Sequence, residues 1–327
     1  MQPSPGSRTR DGSVGDGTGA RVSVGVLLSA ASAITFSAKA IFVKLAFAAA
    51  PVDALTLLTL RMLYAAPFYV VLSFWAARRA TRPWTSRTLL AALGLGFVGY
   101  YLASLLDFLG LEHISAALER LVLFLYPTIV VLISAALQRR PITRREGLAL
   151  LLSYAGILVV MAKDATPRGD TASLWMGCGL VFASAIAYAI YLVGAQRLIA
   201  EVGSIRFTSA AMLVSSTCAA LHFGATRSPA ALGQPAAVHG LAFAMAVIST
   251  VIPTLLLGAA IKRIGSGRTA LVGSLGPVAT IALGYVVLDE PITAAQLFGA
   301  ALVLAGVIVV SGARPSAAPP VRVADIA

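Results

Sequence analysis

Charged residues interrupt long apolar stretches of the sequence, and five of them are candidates for a substrate pathway. They are Lys39, Arg61, Asp107, Glu119 and Arg120. If these stretches cross a bilayer, each charge costs about 2.5–3.5 kcal/mol on insertion scales, which makes such residues candidates for function. Two interpretations stay open. The five residues could line a net basic, polar pathway for an anionic or zwitterionic substrate. They could instead form buried ion pairs that fix helix packing, such as Arg61 with Glu119 or Asp107.

Tyrosines and prolines inside the same stretches form a second set of candidates. A tyrosine hydroxyl in lipid needs a hydrogen-bond partner, so either a substrate pathway or helix packing accounts for Tyr100, Tyr126, Tyr188 and Tyr191. Proline removes a helical hydrogen bond and kinks a helix, and the predicted kinks are at Pro127, Pro253 and Pro277. These kinks could flank a central cavity or be ordinary features of membrane helices. Asp107 and Glu119 are the strongest candidates to carry a coupling proton.

The sequence offers little for enzyme chemistry. Cys178 and Cys218 lie in apolar blocks, the three histidines are far apart, and no metal-ligand spacing or Walker motif is present. We therefore expect no catalytic residue, no metal and no cofactor, with a membrane-embedded enzyme or a channel as the alternatives to a transporter. The net charge of +12 does not indicate nucleic-acid binding, because the basic residues cluster at the ends of apolar blocks.

Ten apolar blocks of membrane-spanning length position these residues. Hydrophobic residues make up 58% of the 327 residues and charged residues 12%, which excludes a soluble enzyme, a disordered protein and a secreted disulfide scaffold. The predicted helices are 23–47, 53–76, 88–110, 113–137, 147–163, 173–195, 206–224, 238–261, 267–288 and 292–312. The sequence therefore predicts an all-α polytopic membrane protein with unstructured tails at 1–21 and 313–327. The first block is too long for the core of a signal peptide.

The distribution of Lys and Arg predicts the orientation in the membrane. Basic residues concentrate in the two tails and in the gaps after helices 2, 4, 6 and 8, whereas the other gaps hold Lys163, Arg168 and Arg227. Positively charged loops stay on the cytoplasmic side. We therefore expect a multi-pass protein of the cytoplasmic membrane with both termini in the cytoplasm.

The chain contains an internal repeat with an offset of 150 residues. Residues 121–160 and 271–310 share 12 identities in 40 positions. Equivalent loops carry opposite charge, since Arg139–Arg140 corresponds to Asp289–Glu290. A copy of five helices reverses the direction of the next copy, which explains the change of sign. Two inverted five-helix repeats are typical of secondary transporters, with the substrate site near the midplane.

The sequence resembles the EamA family of the drug/metabolite transporter superfamily. The residues that carry the resemblance are Lys44, Arg61, the run ISAALERLVLFLYPTIVVL at 114–132 and the run at 252–293. The resemblance implies a ten-helix fold of two EamA repeats and a permease, often an exporter, of small metabolites. One feature departs from the family, because the acidic turn that usually follows helix 4 is Arg139–Arg140–Pro141 here.

Together these observations predict a secondary transporter that works by alternating access. The first repeat is placed at 22–163 and the second at 173–312. The expected substrate is a small polar metabolite or amino-acid-like compound, exported across the lipid bilayer with a proton as the candidate coupling ion. The sequence gives no indication of the oligomeric state.

Overall fold

The computed structural model describes residues 15–80, 83–137, 139, 141–164, 171–273 and 275–311, and these residues form helices joined by short turns. The first half contains α1 (Gly15–Ala49), α2 (Ala54–Arg78), α3 (Ser86–Gly96), α4 (Ala103–Leu111), α5 (Ala116–Leu123), α6 (Tyr126–Leu137) and α7 (Arg144–Asp164). The second half contains α8 (Thr171–Val202), α9 (Ser204–Thr226), α10 (Ala236–Ala246), α11 (Ile252–Gly273), α12 (Leu275–Leu288) and α13 (Ala294–Ser311). A 3-10 turn, Pro229–Leu232, precedes α10.

Among these residues, eight helical stretches are long and apolar enough to cross a membrane. Two shorter apolar helices follow them, Leu275–Leu288 and Ala294–Gly306. The predicted all-α class is therefore confirmed for the described part of the chain. Residues 1–14 and 312–327, most of the predicted tails, lie outside the described residues, and α1 begins eight residues before its predicted start at 23.

One predicted helix differs from the structure because it is interrupted. The predicted helix 113–137 is split at Phe124–Leu125 into α5 and α6. Proline is the physical reason, because Pro127 lies in the first turn of α6, where a missing N–H costs least. The expected kink at Pro127 is therefore a helix start. In the predicted helix 267–288, α11 continues to Gly273 and Pro277 lies in α12, and the residue between these two helices lies outside the described residues.

Two π-helical segments divide other helices. Phe97–Leu102 joins α3 to α4, and Val247–Val251 joins α10 to α11. Pro253 is the second residue of α11, so it directly follows the second π-helical segment inside the continuous helical stretch Ala236–Ala260. The two segments begin 150 residues apart, the offset of the sequence repeat. Segments of this kind occur often at functional sites.

The two halves of the chain interlock rather than pack side by side. The most extensive contacts pair α7 with α13, α1 with α11, α2 with α9 and α4 with α8, so each pair joins one helix from each half. Small residues allow the closest approach, because a Cβ added to Gly156 would lie 2.5 Å from the Gly299 carbonyl oxygen. The centre of the molecule is therefore built from both halves.

Candidate functional site

The five predicted charged residues meet at the centre, and we call them the central charge cluster. The first-half helices α1, α2, α4 and α5 supply all of them, as Lys39, Arg61, Asp107, Glu119 and Arg120. Each is buried, with exposed fractions between 0% and 6%. Charges removed from water in this way need partners or a ligand.

Lys39 is the shared partner of both carboxylates. Its Nζ lies 2.6 Å from Asp107 Oδ2, where it donates a hydrogen bond. The same nitrogen lies 3.4 Å from Glu119 Oε1, an ion-pair distance, but neither Glu119 oxygen has a hydrogen-bond partner. Asp107 is therefore the hydrogen-bonded partner of Lys39, and Glu119 lies beside the pair at a longer distance.

Arg61 is bound differently from the ion pair that the sequence suggested. Its Nε donates a hydrogen bond to Thr250 Oγ1 at 3.0 Å, and its guanidinium lies 5.4 Å from the centre of the Phe108 ring. Within the described part of the chain, Arg61 forms no ion pair with Glu119 or Asp107. The cation within ion-pair distance of both carboxylates is Lys39 on α1.

Arg120 reaches from α5 to the start of α12. Its Nη2 donates to Ser37 Oγ at 3.3 Å, and its guanidinium lies 5.2 Å from the centre of the Phe36 ring. A Cβ added to Gly276 would lie 2.8 Å from the same Nη2. Gly276, on α12, therefore makes room for the guanidinium.

The four predicted tyrosines form a continuous aromatic ladder. Ring centres lie 5.1 Å apart for Tyr126 and Tyr188, 5.8 Å for Tyr188 and Tyr191, and 4.8 Å for Tyr191 and Tyr100. The Tyr191 hydroxyl donates to the Tyr100 hydroxyl at 3.3 Å. The ladder joins α6, α8 and the first π-helical segment, and Tyr126 lies near Arg120. Packing between helices alone would account for these ring contacts. The ladder therefore fits both a substrate pathway and helix packing.

Several residues of the site have no strong signal in the sequence. Ser37 and Thr250 are small polar residues of a kind common in membrane helices, and each binds an arginine of the cluster. The repeat points to Thr250, because its equivalent in the first half, 150 residues earlier, is the candidate residue Tyr100. Tyr69 joins the same network, since its hydroxyl donates to the Thr250 carbonyl oxygen at 3.3 Å.

Pro253 and Pro277 border the cluster through α1. The hydroxyl of Ser32 donates to the Pro253 carbonyl oxygen at 2.9 Å, and the hydroxyl of Ser37 donates to the Gly276 carbonyl oxygen, next to Pro277, at 3.0 Å. Pro127 begins the helix that follows Arg120 and the break. Pro127 therefore lies at a helix interruption, and Pro253 lies directly after a π-helical segment.

A small cavity of about 260 Å³ lies between loops at one end of the bundle, away from the charge cluster. Asp53 lines it and caps α2, accepting hydrogen bonds from Thr56, and Arg227 lies 3.6 Å away. Burial opposes ionisation of Asp53, but the Thr56 hydrogen bonds and the Arg227 charge together lower its pKa. Among the residues that the structure describes, no group of three or more His, Cys, Asp or Glu side chains could hold a metal ion.

Comparison with known proteins identifies the family of the chain. The model of the EamA-like transporter family matches twice, at residues 23–162 and 175–312. A Bacillus subtilis (strain 168) protein named "Uncharacterized transporter YcbK" is 31% identical over 281 residues, covering 81% of this chain and 86% of its own. A second protein of that organism, "Uncharacterized transporter YyaM", is 26% identical over 219 residues, covering 67% and 72%.

A solved crystal structure shares the fold. It aligns with a TM-score of 0.59 at 19% sequence identity, and the alignment covers 88% of this chain and 96% of that one. The duplicated family match, the transporter relatives and the apolar helices agree on a multi-pass membrane protein. The chain belongs to the EamA-like transporter family.

Proposed function

We propose that the chain is a secondary transporter that exports a small polar metabolite or amino-acid-like compound by alternating access. The substrate binds at the central charge cluster, where the two halves meet. One observation carries the proposal, namely the buried polar atoms of the cluster without a hydrogen-bond partner: Arg61 Nη1, Asp107 Oδ1, both Glu119 carboxylate oxygens and Arg120 Nε. Buried polar groups are nearly always satisfied, so this concentration fits a site that a polar ligand or water completes.

The repeated interruptions support an inverted repeat of five spans in each half. The two π-helical segments begin 150 residues apart. The same offset separates Arg139 and Asp289, which both have positive φ, at 51° and 53°. Discontinuous helices at corresponding positions of two halves are typical of transporters with a midplane site. We infer ten spans, with α12 and α13 as the last two.

The charge of the loops supports the orientation that we propose. Arg139 and its equivalent Asp289 lie in corresponding turns with opposite charge. Under the positive-inside rule the arginine turn is cytoplasmic. We infer that the protein lies in the cytoplasmic membrane with both termini in the cytoplasm, and that the Asp289 turn faces outward.

Proton coupling is the mechanism that the cluster favours. Asp107 and Glu119 compete for the single ammonium of Lys39, at 2.6 Å and 3.4 Å. Two acids that share one cation in apolar surroundings form a site whose charge changes when one of them binds a proton. The proposed partners are therefore a small-molecule substrate, the lipid bilayer and a proton.

A metabolite comparison tests the proposal. Export and uptake are compared across the metabolites of cells with and without the protein, and a compound that follows the protein is loaded into proteoliposomes of the purified full chain. We expect saturable release, accelerated by the same compound on the opposite side, as alternating access requires.

Three other results would each contradict the proposal. Release that does not saturate and shows no acceleration by the compound on the opposite side would indicate a channel. A compound recovered in altered chemical form would indicate an enzyme. No metabolite difference, with the protein present in the membrane, would reject metabolite transport.

A further inference from the structure

We propose that an anionic phospholipid of the cytoplasmic leaflet binds in a groove between α2 and α11, with its headgroup at Arg79. The groove has a volume of about 350 Å³, and the residues that line it are all apolar: Pro67, Phe68, Val71, Leu72, Val251 and Leu255. The first four belong to α2, and the last two belong to the second π-helical segment and α11. The site therefore joins the two halves of the chain. Its leaflet follows from the orientation proposed above, but lipid binding itself does not depend on transport.

One face of α2 leads from this groove to the end of the helix. After Val71, the same face carries Trp75 and Arg79, each one helical turn further along. At about 1.5 Å per residue, Arg79 lies about 17 Å along the helix axis from Phe68. One leaflet of the hydrocarbon core is about 15 Å thick. An acyl chain that lies in the groove therefore brings its headgroup to the level of Arg79.

The end of this face suits an anionic headgroup. The guanidinium of Arg79 lies 4.3 Å from the centre of the Trp75 ring, and both residues are exposed, as is Arg78. Among the described residues, neither arginine forms an ion pair with a carboxylate. Tryptophan is enriched at the membrane interface, and a stacked guanidinium keeps the N–H groups at its edge for phosphate oxygens. Two arginines without a counter-charge favour a headgroup with net negative charge.

The groove adjoins the contact between the two halves that Arg61 makes. Val251 lines the groove, and the residue before it, Thr250, accepts the hydrogen bond from Arg61 Nε at 3.0 Å. Tyr69 of α2 donates to the carbonyl oxygen of the same threonine. Polar bonds therefore hold α2 against the second π-helical segment on the buried side, and the acyl chain fills the gap between the same two elements on the lipid side. A lipid bound there stabilises the contact of the two halves.

Helix α7 supplies matched control positions. Val71 in the groove and Leu151 on α7 are each 67% exposed. Arg79 and Arg145 are both exposed arginines near a helix end, and the proposed orientation places both on the cytoplasmic side. None of the residues that line the groove belongs to α7. Substitutions on α7 therefore change the same kinds of residue outside the site.

Quenching of tryptophan fluorescence by brominated lipids measures binding beside Trp75. The chain has three tryptophans, and the variant Trp84→Phe, Trp175→Phe keeps only Trp75. This full chain is placed in vesicles of phosphatidylglycerol and phosphatidylcholine, with bromine on the acyl chains of one lipid or the other. We expect a binding constant about five-fold higher or more for phosphatidylglycerol. The variant Trp75→Phe, Trp84→Phe keeps only Trp175, an exposed residue of α8, and should show no preference.

Substitutions in the protein with Trp75 alone locate the binding. We expect Arg79→Gln to lower the preference for phosphatidylglycerol by about five-fold, because it removes the cation at the headgroup, and Arg145→Gln to leave the preference unchanged. The ring of Val71→Phe occupies the groove and should also remove most of the preference, whereas Leu151→Phe should have no effect. Thermal unfolding confirms that each variant is folded.

Three results would overturn the lipid site. The first is equal binding of the two lipids beside Trp75. The second is a preference that Arg79→Gln removes and Val71→Phe leaves intact, because surface charge would then attract the lipid without the groove. The third is weak quenching by both lipids in a chain that photobleaching shows to be dimeric, because a second copy would then cover this face. Quenching needs no substrate flux, so the lipid site and the proposed transport can fail independently.

Discussion

Arg61 on α2 donates a hydrogen bond from Nε to Thr250 Oγ1 over 3.0 Å, and this bond ties the first half of the chain to an interrupted helix of the second. Thr250 belongs to the second π-helical segment, and its carbonyl oxygen accepts from Tyr69. Two side chains of α2 therefore hold one residue at a helix interruption. Such an interruption is where a transporter helix can bend without breaking its contacts.

Thr250→Val removes the acceptor of Arg61 and keeps the shape of the side chain. We expect a loss of about 1–3 kcal/mol in unfolding free energy, because a buried guanidinium nitrogen loses its partner. Thermal or denaturant unfolding in detergent measures this loss. Thr217→Val is the control, since Thr217 is bonded to its own helix on the exposed side. Equal stability of the two variants would show that the Arg61–Thr250 bond contributes nothing.

The two acids of the central charge cluster should differ in their effect on stability. We expect Asp107→Asn to cost about 3–5 kcal/mol, because it leaves the buried Lys39 without its hydrogen-bonded carboxylate. Glu119→Gln should cost clearly less, since Glu119 lies 3.4 Å from Lys39 without hydrogen-bond alignment. Unfolding of both variants at neutral pH measures the order, and the reverse order would contradict the assignment of Asp107 as the hydrogen-bonded partner.

The seam between α7 and α13 gives a test of packing. Gly156→Ala should destabilise the protein by about 1–3 kcal/mol, because the new methyl group would lie 2.5 Å from the Gly299 carbonyl oxygen. Gly147→Ala on the same helix α7 meets no described atom within 4 Å, and alanine there should be neutral or stabilising by up to about 1 kcal/mol. If both variants have the same unfolding free energy, α7 and α13 do not approach each other this closely in the folded protein.

The orientation of the repeats is testable at two equivalent turns. Arg139 and Asp289 are both exposed and lie 150 residues apart. In a chain without its native cysteines, Arg139→Cys should react with an impermeant thiol reagent only from the cytoplasmic side, and Asp289→Cys only from outside. Labelling of both from one side would mean that the two halves are parallel rather than inverted.

The sequence predicts the members of the site better than their partners. Lys39, Asp107 and Glu119 stand out because a charge in an apolar block is costly and therefore rare. Their pairing depends on which helix faces which, and apolar blocks of similar composition do not encode that, so the sequence does not show that Lys39 rather than Arg61 contacts both acids. The tyrosines are brought together as a ladder, although their spacing along the chain gives no sign of it.

The helix interruptions were hidden for a different reason. Residues on both sides of Phe124–Leu125 are apolar, so hydropathy runs through the break without a change. Pro127 indicates an irregularity near this break, but a kink within a helix and the start of a new helix share that signal. The π-helical segment at Phe97–Leu102 contains no proline, and only its equivalence with Val247–Val251 could have indicated it.

Substrate flux through a variant without the ion pair of Lys39 and Asp107 tests most directly whether the central charge cluster carries transport. The variant Lys39→Met, Asp107→Leu replaces this hydrogen-bonded pair by apolar side chains, which is often neutral for folding, and keeps Glu119 as a counter-charge for the two arginines. In proteoliposomes, with the exported compound as substrate and Gly147→Ala as control, we predict a folded variant whose flux falls to that of protein-free vesicles. A folded variant with the flux of the wild type would contradict the proposal, because the cluster would then serve helix packing alone.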